Sequence, residues 1–179
     1  MKAQPAVDAD RIAVMGNSKG GELALLLGAT YPEDVKAVVG YVPSAVVWQG
    51  KTSDQLSYSL DPRSSWSLGG EPLPFVRFAR PLPSEMPRMT RFFFGGSMAT
   101  GPIFYERALE DGAAVAAASI AVEKINGPVM VISGTDDQLW PSTRFSEMVI
   151  ERLEAHDHPF TYEHPVSYTH LTLPTNREV

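Results

Sequence analysis

Two stretches of the chain carry a regular apolar pattern, and between them the pattern fades. Arg11-Ile12-Ala13-Val14-Met15 predicts a buried strand, Gly20 to Thr30 a helix, and Val35 to Val42 a second buried strand. Tyr31-Pro32 stops the helix. Leu23, Leu26 and Leu27, with Ala24 and Ala29, make it apolar nearly all round, as suits a helix packed against a sheet and under other layers. The second unit runs from a Pro128 to Ser133 strand through a Ser142 to His156 helix to a Phe160 to His164 strand. In that helix Phe145, Met148, Val149 and Leu153 share one stripe, and Glu147, Glu151 and Glu154 lie opposite. Strands alternating with helices predict an α/β fold with a mostly parallel sheet, flanking helices and right-handed crossovers. Ligands then bind beyond the carboxyl ends of the strands.

The middle, Pro43 to Phe104, holds eight of the 15 prolines and six of the 8 phenylalanines and shows little helical or strand period. A long irregular stretch this rich in aromatics reads as a cap or lid (43–104) over the active-site edge. Phe75, Phe78, Phe92, Phe93 and Phe94 either line an apolar acyl pocket or anchor a long loop on the core. Arg77, Arg80, Arg88 and Arg91 suit either the phosphates of a substrate such as coenzyme A or a solvated loop face. A helix from Tyr105 to Ser119 leads back toward the sheet.

Candidate chemistry sits where the first strand meets the first helix. Gly16-Asn17-Ser18-Lys19-Gly20 has the order strand, Gly-x-Ser-x-Gly, helix, which is the nucleophile elbow of an α/β-hydrolase. The serine occupies a sharp, strained turn that lifts its hydroxyl above the sheet, and flanking glycines let the backbone come close. The Lys19 backbone N–H supplies one oxyanion donor at the positive end of the helix. A triad then needs an acid and a histidine further along. Gly134-Thr135-Asp136-Asp137 follows a late strand, which selects Asp137 as the carboxylate, with Asp136 as the alternative and an Asx turn capping the Ser142 helix as the competing reading. Of the 4 histidines, His156 and His158 precede the last strand and His164 sits at its end. Only His170 lies beyond that strand, without a Gly-His setting to turn it back toward the serine.

Composition narrows the class. With 179 residues, 44% hydrophobic and 20% charged, the chain suits one soluble domain but is short for a complete hydrolase of this kind. A net charge of −6 argues against a nucleic-acid surface. No run reaches the roughly 18 apolar residues of a membrane span, and no apolar segment follows Met1-Lys2-Ala3-Gln4-Pro5 to make a secretion signal. With 0 cysteines there is no disulfide, thiol nucleophile or thiolate metal site, which fits a reducing, cytoplasmic setting. The chemistry requires neither a cofactor nor a metal.

Gly16 to Leu25, the strand end Tyr41-Val42-Pro43-Ser44, the following Val46-Val47-Trp48-Gln49-Gly50 and the segment Ile132 to Pro141 together resemble the C-terminal catalytic domain of acyl-CoA thioesterases and bile acid-CoA:amino acid N-acyltransferases. The resemblance covers roughly residues 1–164 and includes Ser-Lys-Gly as well as the generic elbow. It implies an acyl-CoA or related acyl ester substrate, Ser18 as nucleophile and Asp137 as acid. A serine, where the transferases usually carry cysteine, favours hydrolysis. The family's histidine belongs a few residues after His164, in a Tyr-Pro-Gly-x-Gly-His-like segment.

The chain departs from the family there. Val166 to Val179 resembles translated adapter or vector sequence, so 1–165 is read as a partial catalytic domain, 166–179 as a non-native tail, and His170 as accidental. On the same view Met1 falls within the helix before the nucleophile strand. The earlier strands, the loop with the second oxyanion N–H and an N-terminal β-sandwich domain are then missing, and little turnover is expected. Two other readings keep the fold: a dienelactone-hydrolase-like esterase or peptidase using the same Ser18 and Asp137, and an inert fragment or apolar ligand-binding module.

Overall fold

The computed structural model describes residues 4–50, 61–79, 82–85 and 101–167. Strand β1 (Ala13–Asn17), helix α1 (Lys19–Thr30) and strand β2 (Ala37–Tyr41) form the first unit. Strand β5 (Val129–Gly134), helix α4 (Ser142–Ala155) and strand β6 (Tyr162–Glu163) form the second. A two-residue strand β7 (Val166–Ser167) follows. Sheet order is β1-β2-β5-β6, with β7 also on β5, and every pair is parallel. All carboxyl ends therefore share one edge of the sheet, as the sequence pattern predicts.

Element ends differ in instructive ways. The first strand lies two residues later than its β-branched run, because Asp8 caps a 3₁₀ turn over Ala9–Arg11 and takes Arg11 out of the ladder. The strand expected over Phe160 to His164 is only Tyr162–Glu163, yet Val166 and Ser167 continue on the same flank of β5, opposite Ser133 and Gly134. These two residues belong to the segment read as the tail. The single helix expected from Tyr105 to Ser119 is two, α2 (Gly101–Ala108) and α3 (Gly112–Ala118). Asp111 breaks it: its Oδ1 accepts from Ala114 N–H at 3.1 Å as an N-cap, a better use of Asp beside Gly112 than a helix interior.

The described part of the middle is more ordered than its period suggests. Strands β3 (Ser67–Leu68) and β4 (Glu71–Pro72) form a hairpin across Gly69 and Gly70, whose φ values of 62° and 91° suit glycine. Residues 46–49 bridge to Ser119, Val76 and Ser64, so the chain after β2 stitches the described part of the middle to α3.

Two apolar clusters hold these parts together. One joins α1, the sheet and α4 through Leu25, Val38, Val131, Val149 and Leu153. The other gathers Trp48, Val76, Trp140 and Phe145, with Phe78 and Tyr105 packed against it. Phe78 stacks on Trp48 at 5.6 Å, so this phenylalanine anchors its loop on the core. Phe92, Phe93, Phe94, Arg80, Arg88 and Arg91 lie outside the described residues.

Candidate active site

Ser18 follows the last residue of β1 and precedes α1 with φ 54° and ψ −120°, a conformation rare for a residue with a Cβ. The turn is held from both sides. Ser18 N–H donates to the Tyr41 carbonyl at 2.8 Å, and Glu22 N–H donates to the Ser18 carbonyl at 3.0 Å. The Ser18 hydroxyl does not cap the helix, and the Lys19 backbone N–H lies beside it in the first turn of α1. This is the strained strand-to-helix elbow that the sequence predicts.

Its glycines are not equivalent. A Cβ on Gly16 would sit 2.1 Å from the Gly20 carbonyl oxygen, and one on Gly21 would meet Tyr41 O at 3.1 Å and Gly16 O at 3.2 Å. Gly20 has no atom within 4 Å of that position. Close approach thus needs Gly16 and Gly21, and the second glycine of the motif is not the one that makes room. Across from the elbow, Val42 takes φ 40° as the chain leaves β2, and its N–H donates to Ile132 O at 2.6 Å. Backbone strain is therefore placed at two neighbouring strand ends on one edge.

Asp137 emerges from the same edge, after β5, two strands away from β1; at strand spacings near 4.8 Å that is about 10 Å across the sheet. Its Oδ1 accepts from Leu139 N–H at 3.0 Å and Trp140 N–H at 3.3 Å, an Asx turn within its own loop; it does not cap the Ser142 helix, whose N-cap position is Pro141 with no side-chain bond, so the capping reading is corrected. That turn delivers Trp140 into the second core cluster. Asp136 accepts from the Gln138 side chain instead.

None of the described histidines reaches Ser18, whose hydroxyl makes no hydrogen bond among the described residues. His156 is the C-cap of α4. His158 is buried, with Nε2 3.2 Å from Gly127 O. His164 Nε2 lies 2.7 Å from Ser133 Oγ, which also contacts Thr143 Oγ1 at 3.1 Å. Thr143 in turn donates to Gly134 O at 3.0 Å, so the network brackets the loop that carries Asp137. His170 lies outside the described residues, and among those described no cluster of His, Asp and Glu is arranged to hold a metal.

Burial lowers the His164 pKa from its ordinary 6.5, opposed more weakly by the Glu147 charge. A depressed histidine favours the neutral form in the folded state, so its contribution is complete above 6.5 and lost as pH falls below that value through the folded pKa. Stability measured by urea unfolding should fall between pH 7 and 5, and His164→Gln should flatten that slope. Glu123 acts in a lower window. Its bidentate bond to Arg152, at 2.5 and 2.8 Å, lowers its pKa from 4.5, so that contribution fades only in stronger acid.

A cavity of about 700 Å³ is lined by Leu26, Ala29, Val47, Leu73 and Ile120 with Lys124. No helix among the described residues is long and apolar enough to cross a membrane.

Comparison with known proteins bears on the family and the fold. Residues 1–170 match the family model described as BAAT / acyl-CoA thioester hydrolase C terminal. No curated protein matches the sequence. Among solved structures, the chain is similar to the Pyrococcus horikoshii acylaminoacyl peptidase, with TM-score 0.51 and 12% identity over 94% of this chain and 21% of that one. A Clostridium acetobutylicum lipase-esterase related protein follows at TM-score 0.44 and 15% identity, covering 89% of this chain and 58% of that one. A Paleococcus ferrophilus monoacylglycerol lipase follows at TM-score 0.41 and 20% identity, covering 88% and 59%. The chain thus spans about a fifth of the peptidase's length. The fold is that of the α/β-hydrolases, mostly parallel with flanking helices, and the matched family is one of hydrolases.

Proposed function

Because the chain belongs to the BAAT / acyl-CoA thioester hydrolase C-terminal family, we propose that it carries the nucleophile of a serine-dependent acyl-CoA thioesterase. The observation that supports this most is the Ser18 elbow: a non-glycine φ of 54° at the N-terminus of α1, with the hydroxyl outside the helix cap. Ser18 Oγ attacks the thioester carbonyl while a histidine takes its proton, giving a tetrahedral oxyanion held by the Lys19 N–H. Collapse expels the coenzyme A thiolate, which takes up that proton, and leaves an acyl-serine. Water then releases the carboxylic acid and restores the serine. Asp137 is the carboxylate that orients the histidine. For this it must exchange part of its Asx-turn bonding for the imidazole N–H, or offer its second oxygen.

The histidine is the weak point of the constellation. His158 and His164 are bonded elsewhere, His156 closes the C-terminal end of α4, and His170 falls in the segment whose sequence resembles adapter sequence. Slow turnover by this chain is therefore expected, with binding and the Lys19 N–H supplying what acceleration there is.

A fluorophosphonate probe tests the nucleophile directly, because it bonds to an activated serine and requires no leaving coenzyme A. The chain should be labelled at Ser18, slowly in keeping with its slow turnover, and Ser18→Ala should remove the label entirely, as read by mass spectrometry. Label at another serine, or none, would overturn the assignment. Comparing hydrolysis of a long-chain acyl-CoA with that of an aryl ester then separates a thioesterase from an esterase of the same fold. Cleavage of the aryl ester alone would sink the thioesterase reading.

A further inference from the structure

The side chains of Lys19 and Glu22 take no part in the reaction above, yet both stand in the first turn of α1. Glu22 is fully buried. Its Oε1 receives the Lys19 ammonium at 2.5 Å and the Trp66 indole N–H at 2.7 Å. Lys19 Nζ also donates to Ser65 Oγ at 2.9 Å and lies 5.3 Å from the centre of the Trp66 ring. Ser65 Oγ donates onward to the Trp48 carbonyl. Glu22 Oε2 is buried without a hydrogen-bond partner among the described residues. Burial raises the Glu22 pKa, with Lys19, Trp66 and the nearby Trp48 backbone pulling the other way.

We propose that Lys19 and Glu22 form a charge lock that seats residues 61–68 on the elbow, making both side chains positioning residues for Ser18. An unneutralised carboxylate in this turn would oppose the negative charge that develops next to Ser18. The ammonium cancels it, and the two together give Trp66 and Ser65 fixed anchor points. Lys19 is then not a ligand for substrate phosphate. Drawing its ammonium away would leave a buried carboxylate without a counter-ion, a costly exchange. The lysine that follows the nucleophile is explained by a partner three residues on, and through it by the cap.

Charge pairing predicts non-additivity. Lys19→Met strands the carboxylate and should lower Tm by about 6 °C, less than for a pair buried at both ends because the lysine is partly exposed. Trypsin cleavage after Arg63, read by mass spectrometry, should rise roughly tenfold as the segment lifts. Glu22→Gln keeps an acceptor for Trp66 and should cost only about 2 °C. The double variant Lys19→Met/Glu22→Gln removes both charges and should recover at least half of each Lys19→Met effect, and Lys19→Arg should cut like wild type. Additive effects in the double variant, or unchanged Arg63 cleavage in Lys19→Met, would overturn the lock. Should Lys19→Met fail to fold, Trp66→Phe removes the indole N–H together with part of the ring; a cleavage rise of about threefold that is smaller with Glu22→Gln already in place supports the lock, and no rise, or an equal rise in both backgrounds, overturns it.

Its consequence for Ser18 rests on the proposed function and is read separately, as a roughly tenfold slower fluorophosphonate reaction in Lys19→Met than in the double variant. Equal rates would confine the lock to the cap. Absence of labelling in wild type would refute the nucleophile assignment and leave the cleavage test standing.

Discussion

Gly16→Ala is expected to destabilise the protein by about 3 kcal/mol and to abolish labelling of Ser18. The added Cβ would lie 2.1 Å from Gly20 O, 2.2 Å from Gly20 C and 2.8 Å from Gly21 N, all backbone atoms of the α1 first turn. No side-chain rotation relieves such a contact. Either α1 shifts away from β1, or β1 leaves its register with β2 near Gly16 and Gly40. Both movements carry Ser18 out of its strained conformation. Gly20→Ala provides the contrast within the same motif: with open space around its Cβ and a place inside α1, it should stabilise by about 0.5–1 kcal/mol and keep the label. Urea unfolding and probe labelling of the two variants decide between room for the backbone and a generic need for glycine.

Trp48→Ala should be the costliest core substitution, at about 4 kcal/mol by chemical denaturation. Trp48 is 1% exposed and touches three rings: Phe78 stacked at 5.6 Å, Tyr105 edge-on at 4.9 Å and Phe145 at 5.7 Å. These rings come from the middle segment, α2 and α4, so one indole joins parts of the chain that no sheet hydrogen bond connects among the described residues. Its N–H donates to Ser44 Oγ at 2.7 Å. Trp48→Phe should cost less, about 1–2 kcal/mol, because it keeps an aromatic surface and loses one hydrogen bond and part of the volume.

Sequence patterns revealed most of what lies near the sheet. The strand, elbow and helix around Ser18 were legible because a strained turn leaves glycines at fixed spacing. The second unit was legible through the Phe145, Met148, Val149, Leu153 stripe, which α4 does bury or half-bury. Glu22 was not legible as a functional group. An acid in the first helical turn is commonly solvated and favoured by the helix dipole, and the Trp66 and Ser65 that bury it lie more than forty residues away. The split between α2 and α3 was hidden by a run of alanines that reads as one helix until Asp111 and Gly112 are seen as cap and start. Asp137 was legible as a carboxylate on the same sheet edge as Ser18, while its bonding within its own loop is a matter of local geometry that composition does not encode.

The order β1-β2-β5-β6 has a further consequence for how much the middle of the chain can vary. Pairing β1 with β2 closes a loop of about two dozen residues, and pairing β2 with β5 closes one of about ninety. Loop-closure entropy grows only with the logarithm of length, so the longer closure costs about 1 kcal/mol more than the shorter. The sheet is nearly indifferent to how many residues intervene between Tyr41 and Val129. Insertions and deletions there cost little in closure entropy as long as Trp48 and the Trp66 anchor survive, which leaves this stretch free to diverge between relatives while the elbow stays fixed.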